Sequence, residues 1–73
     1  MINMLDSYQI KANEIFFANV LETLNDGGIY FYPSVMKSFQ KNGNVLEGSE
    51  DALKIIKRIV SNDFFEKHFK LKK

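Results

Sequence analysis

The chain has 73 residues, 45% of them hydrophobic, and its ten basic and nine acidic side chains leave a net charge of +1. The lack of cysteine excludes a disulfide framework and a thiolate metal site, and the one histidine, His68, is too few for a metal site or a catalytic triad. No apolar run approaches the ~20 residues of a membrane span, and residues 1–6 lack the basic and apolar regions of a signal peptide. We therefore expect one small cytoplasmic domain over residues 1–73, with no cofactor.

The small net charge conceals a polarised chain. Residues 1–33 carry one basic and four acidic side chains (1 − 4 = −3), and residues 34–73 carry nine basic and five acidic ones (9 − 5 = +4). Such asymmetry bears on association and on the choice of partner, and it carries no information about catalytic chemistry.

The first predicted element is a helix from about residue 7 to residue 25. Asp6 or Ser7 suits the N-cap, and Gly27 supplies a left-handed residue past the end. The opposite side of this helix leaves Tyr8 and Ile15 exposed, either as a second contact surface or as ordinary scattered apolar residues. At about 100° per residue, one continuous apolar face is expected to be buried: Ile10, Phe16, Phe17, Val20, Leu21 and Leu24.

An aromatic hairpin is predicted next, after the break at residues 25–28. Residues 29–32 read as a strand with Tyr30 and Tyr32 on its outward side. Residues 33–40, which begin with Pro33, suit either a short helical turn or a continued edge strand. The pair at residues 42–43 predicts a tight turn, and residues 45–47 form the return strand. So short a hairpin must lie on the helices.

Two short helices are predicted to close the fold. Ser49 caps a helix over about residues 51–60, and a second helix begins near residues 61–63, where Asp63 and Glu66 have the spacing of a capping box. Phe65 and Phe69 form an i,i+4 pair directed at the core, and residues 70–73 are expected to be a frayed basic tail. The apolar face of the first of these helices comprises Leu53, Ile55, Ile56, Ile59 and Val60.

No catalytic or phosphate-binding motif is present. The acidic side chains lie at helix starts and on polar faces, where capping and solvation explain them. The glycines are at positions 27, 28, 43 and 48, and none is directly followed by a Lys-Ser or Lys-Thr pair. His68 is interpreted as a residue at the edge of the core. An enzyme is therefore not expected.

The predicted fold is α+β, with a long first helix, a short aromatic hairpin and two short C-terminal helices. An all-α bundle with residues 33–40 helical is the alternative. The predicted function is non-catalytic binding of a protein partner, as a regulator or inhibitor of the kind that a phage or mobile element encodes. Homo-oligomerisation is a further option, and no membrane contact is expected. The residues predicted to bind the partner are Tyr8, Ile15, Tyr30 and Tyr32.

A nucleic-acid-binding module is the alternative function. Lysines recur from residue 54 onward, and each phosphate neutralised by such a side chain makes affinity fall with added salt. The outward tyrosines of the strand are the expected stacking platforms for bases. Solvation alone also explains a basic helix face. The residues predicted for this alternative are Lys54, Lys57, Arg58, Lys67 and Lys70.

Overall fold

Three α-helices and one four-stranded sheet form the fold, in a computed structural model that describes residues 6–73. The α+β prediction is confirmed and the all-α alternative is wrong. Residues 1–5, which carry most of the signal-peptide expectation, lie outside the described residues. The elements in chain order are α1 (Ser7–Thr23), β1 (Ile29–Tyr32), a 3-10 turn (Pro33–Val35), β2 (Lys37–Asn42), β3 (Val45–Gly48), α2 (Glu50–Ile56), α3 (Asn62–His68) and β4 (Phe69–Leu71).

The sheet has the order β1-β2-β3-β4, so that β1 and β4 are its two edges. The first three strands are antiparallel neighbours, whereas β4 runs parallel to β3 and is reached through α2 and α3. Residues 33–40 adopt both predicted conformations in succession. The 3-10 turn begins at Pro33, Met36 takes a left-handed conformation with φ 54°, and the chain returns alongside β1 as β2.

The tight turn lies at Gly43 and Asn44, between β2 and β3 and one residue later than predicted. Gly43 has a φ of +64°, as the first central residue of a type II′ turn requires. The predicted return strand is therefore correct, but its partner is β2 and not β1.

Helix α1 is capped at its start by Asp6, whose carboxylate accepts a hydrogen bond from the Gln9 N–H at 2.9 Å. Gly27 does take a left-handed conformation, with φ +81°, but it is three residues beyond the C-cap Leu24 and so does not end the helix. The Lys41 amine instead donates to the Leu24 carbonyl at 2.7 Å, which satisfies an acceptor near the helix end.

The C-terminal segment contains the largest departure from prediction. Residues 70–73 are not a frayed tail, because Phe69–Leu71 form β4 and the Lys72 N–H donates to the Gly48 carbonyl at 2.9 Å. Helix α2 also ends early, at Ile56. Ser61, and not Asp63, caps α3, since its hydroxyl accepts from the Phe64 N–H.

The core lies between the helices and the inner face of the sheet. Phe65 stacks on Phe69 with ring centroids 5.7 Å apart, as the i,i+4 spacing predicts. Gly48 is required at its position, because a Cβ there would lie 2.6 Å from the Phe39 ring. Phe16 departs from the predicted helix face and is partly exposed. The buried residues are Phe17, Leu21, Phe39, Leu46, Ala52, Ile56, Val60 and Phe69.

Candidate functional site

Among residues 6–73, no helix packs against one face of the sheet. The buried Phe39, Leu46 and Phe69 point to the helical layer, and side chains alternate along each strand. The strand register therefore sends the intervening residues to the opposite side. We call this side the open face, and we define it by Ile29, Phe31, Ser38, Gln40, Glu47 and Lys70.

The open face is apolar at β1 and polar towards β4. Ile29 and Phe31 on β1 are 58% and 51% exposed, and Met36, just after the 3-10 turn, is 73% exposed. Large apolar side chains grouped on a surface are typical of interaction sites, whereas single ones are ordinary. This part of the open face is therefore the principal candidate for a binding surface.

A shallow groove of about 330 Å³ crosses the open face. Its polar floor is held in place by Gln40, whose side-chain amide donates to the Gly27 carbonyl at 3.1 Å and whose side-chain oxygen accepts from the Lys72 amine. The groove thus combines an apolar rim with ordered polar groups. Its lining includes Ile29, Met36, Lys37, Ser38, Glu47 and Lys72.

The backbone of β1 has its own free hydrogen-bonding groups. The Gly27 N–H donates to the Lys41 carbonyl at 2.8 Å, and the Lys41 N–H donates to the Gly28 carbonyl at 2.9 Å. With Gly27 left-handed, this is a G1 bulge. Bonded and non-bonded pairs alternate along an antiparallel ladder, so that Tyr30 and Tyr32 bond to β2. The N–H and C=O groups of Ile29 and Phe31 therefore point to the free edge.

The expectation that Tyr30 and Tyr32 face outward is wrong. Both are half-buried against α1, and the Phe16 ring lies 5.9 Å from the Tyr30 ring and 6.2 Å from the Tyr32 ring. Burial raises the pKa of Tyr30 above its ordinary value, and the nearby Tyr32 adds to the rise. Tyrosine suits this half-buried position because its ring packs while its hydroxyl reaches water.

Tyr8 and Ile15 lie on the outer side of α1, as predicted, and are 85% and 55% exposed. They are seven residues apart and so share one side of the helix. The structure separates them from Tyr30 and Tyr32, which lie on the inner face of the sheet. The four residues predicted to bind one partner therefore form two separate groups.

The five predicted nucleic-acid contacts are all exposed. Lys54, Lys57 and Arg58 lie in α2 and the turn after it, and the Lys57 amine lies 5.8 Å from the centre of the Phe65 ring. Lys67 is in α3. Lys70 is on the open face beside Glu47, and therefore on the other side of the sheet from the helical lysines.

A second groove, of about 310 Å³, lies beside His68 and Glu22. The Nδ1 atom of His68 lies 3.0 Å from the Asn44 carbonyl oxygen. Because a carbonyl only accepts hydrogen bonds, Nδ1 carries the proton. The ring also packs on Phe64, with centroids 4.6 Å apart. His68 thus has structural partners at the edge of the core. Across residues 6–73, no three side chains converge as metal ligands.

Sequence reasoning missed the apolar part of the open face. It recognised the alternation in β1 but assigned the two sides in reverse, because both sides are apolar or aromatic. The available signal was the pair Phe16 and Phe17, which supplies aromatic partners on the inner side of the strand.

Comparison with known proteins finds no match to this chain among family models, curated proteins or solved structures. Within the part of the chain that the structure describes, none of the helices has the length and apolar character needed to cross a membrane.

Proposed function

We propose that this chain is a small non-catalytic binding protein that acts on a protein partner as a regulator or inhibitor. The observation that supports it is the apolar part of the open face, where Ile29, Phe31 and Met36 lie exposed beside a groove. Exposed apolar side chains grouped on one part of a surface are typical of protein-binding sites.

The groove indicates the chemistry of the partner. Lys37 and Lys72 line it together with Ile29 and Met36. The strand register places the Lys37 side chain on the helical side with Tyr32, so that the amine facing the groove is that of Lys72, which also bonds to Gln40. A segment that presents apolar side chains to the rim and a carboxylate to the Lys72 amine is complementary to the groove, since opposite charges fix orientation and disfavour wrong partners. The proposed partner is therefore a protein with an apolar and acidic surface segment.

Capture from an extract of the source cells tests this proposal. The immobilised chain is compared with Ser38→Arg, which fills the groove on β2, and with Ile15→Arg, which places the same charge on the outer side of α1. Both positions are exposed. We expect one protein to be retained by the native chain and by Ile15→Arg and to be lost with Ser38→Arg.

The two variants also decide between the two candidate surfaces. Loss of the retained protein with Ile15→Arg alone would assign the partner to Tyr8 and Ile15 on α1. Retention that neither variant affects, or a native chain that retains nothing, would contradict the proposal.

Nucleic-acid binding is the second candidate, and the exposure of its five basic residues favours it. Titration of short duplexes and single strands at low and moderate salt tests it. Binding that weakens steeply with salt, and is lost when Lys57 and Arg58 are changed to Glu, would support this candidate. Absence of binding at low salt would exclude it.

A further inference from the structure

We propose that β1 pairs antiparallel with β1 of a second copy of this chain, so that two sheets become one continuous sheet. The pairing uses the free backbone edge of β1, whereas the proposed function uses the side chains of the open face. The N–H and C=O groups of Ile29 and Phe31 point away from β2 and are available to a further strand.

The register of the pairing follows from symmetry. The two copies are related by a two-fold axis perpendicular to the sheet. Both open faces lie on the same side of the joined sheet only if one residue of β1 is opposite the same residue of the second copy. That residue is Tyr30 or Phe31. An axis at Tyr30 sets each Ile29 opposite Phe31 of the second copy, and all the free groups then pair, in four hydrogen bonds. An axis at Phe31 sets Ile29 opposite Pro33, which has no N–H. The register centred on Tyr30 is therefore the favoured one.

Side chains on both sides of the sheet agree with this register. On the open face, Ile29 of each copy lies across from Phe31 of the other, an aliphatic–aromatic pair of the kind that stabilises antiparallel strands. On the helical side, Tyr30 meets Tyr30, beside the partly exposed Phe16. The pairing thus removes apolar surface from water on both sides of the new ladder.

Charge explains why a second copy fits this edge. A surface that pairs with itself across a two-fold axis meets its own charges, and like charges opposed on neighbouring strands are destabilising. Residues 27–36 contain no charged side chain. The edge is also short, ending at the bulge on one side and at Pro33 on the other. The β1 strand of a second copy has the same length and carries no charge, so that it matches this edge.

Sedimentation equilibrium over a wide concentration range tests the proposal. We expect a mass that rises with concentration from 8.5 kDa towards twice that value. Phe31→Pro removes an N–H that points to the free edge and leaves the bonds to β2 intact, which is the setting in which strands tolerate proline. Because a symmetric dimer contains the substitution twice, two hydrogen bonds between the copies are lost, and we expect association to weaken by at least about tenfold.

A charge pair tests the register. Ile29→Lys alone is expected to weaken association, because it replaces the aliphatic side chain that packs on Phe31 of the second copy by one whose amine stays in water. Adding Phe31→Glu to Ile29→Lys should restore the dimer, since each new carboxylate then faces a new amine. In a register centred on Phe31 the carboxylates would face each other and the dimer would not recover. Circular dichroism verifies that each variant is folded. If Phe31→Pro does not fold, Ile29→Lys and its combination with Phe31→Glu still test the proposal.

Two results would overturn the proposal. One is a native chain that keeps the mass of a single copy at every concentration. The other is a dimer that neither Phe31→Pro nor Ile29→Lys weakens. Loss of a captured protein with Phe31→Pro but not with Phe31→Ala, which keeps the N–H, while the native chain stays monomeric, would assign the edge to a foreign strand. Ser38 is on β2, one strand in from the edge, so that Ser38→Arg should leave the dimer intact. A loss of partner binding with Ser38→Arg is therefore distinguishable from a loss of dimerisation.

Discussion

The two edges of the sheet are protected from other chains to very different degrees. Strand β4 carries Lys70 and is followed by Lys72 and Lys73, and charged side chains of this kind blunt an edge against unwanted pairing. Strand β1 has no charged residue, and it exposes Ile29 and Phe31 beside its free backbone groups. The basic character of the C-terminal half thus protects one edge only. We infer that association is directed to β1.

The two edges also differ in what their side chains do for stability. Phe69 of β4 is buried, with the rings of Phe17 and Phe65 5.2 and 5.7 Å away, whereas Phe31 of β1 is half exposed. Phe69→Ala should lower the free energy of unfolding by about 3–5 kcal/mol, as is usual for buried phenylalanines. Phe31→Ala should change it by no more than about 0.5 kcal/mol. Urea unfolding of dilute samples measures both.

The two substitutions make the same chemical change at the two edges of the sheet. Equal losses of stability would contradict the assignment of Phe31 to an interaction surface and of Phe69 to the core. A loss for Phe31→Ala that appears only in concentrated samples would instead support pairing of β1 with a second copy, because association stabilises the folded state by mass action.

The same contrast explains which parts of the fold were predictable from sequence. Caps and turns rest on neighbouring residues, so that the Ser49 cap was assigned correctly and Asp6 was one of the two N-caps considered for α1. Gly43 lies in the predicted turn, although the turn is one residue later than expected. Strand β4 was missed because its three residues lie among lysines, and because its ladder partner β3 is more than twenty residues earlier in the chain. No local pattern encodes that pairing.

The open face was missed for a different reason. Alternation along β1 was recognised, but it does not indicate which side is buried when both sides are apolar. The helix decides the matter, because Phe16 and Phe17 contact Tyr30 and Tyr32 from one side only. Burial of a two-sided apolar strand is thus a property of tertiary packing.

Helix α1 covers the inner side of β1, and its position depends on its contacts with the rest of the molecule. The Glu14 carboxylate accepts a hydrogen bond from the Ser61 N–H at 2.8 Å, and the Asn13 side-chain amide donates to the Ile59 carbonyl at 2.9 Å. These contacts fix α1 to the turn between α2 and α3. Glu14→Gln replaces a charged acceptor by a neutral one, and it should lower the free energy of unfolding by about 1 kcal/mol at neutral pH.

The pH dependence of that loss identifies its origin. Hydrogen bonds from Ser61 hold the pKa of Glu14 below its ordinary value of 4.5. A carboxylate with a lowered pKa in the folded state stabilises the fold above its unfolded pKa, and this contribution disappears as the pH falls through the folded value. The native chain and Glu14→Gln should therefore differ at pH 7 and converge below about pH 4.5. A difference that stays constant into acid would assign the effect to packing.

Met36 gives the smallest of these effects and is the only one that should stabilise the chain. It lies between β1 and β2 with φ 54°, a left-handed conformation that costs roughly 1–2 kcal/mol for residues other than glycine. Met36→Gly removes this strain but adds about 0.5–1 kcal/mol of chain entropy to be lost on folding. We expect a net gain of about 0.5 kcal/mol in thermal or urea unfolding. The matched control is Ser38→Gly in β2, where the backbone is extended and glycine brings only the entropic loss. If both glycine variants are destabilised alike, the Met36 side chain contributes packing in spite of its exposure, and the apolar end of the groove is then part of the fold and not a free surface.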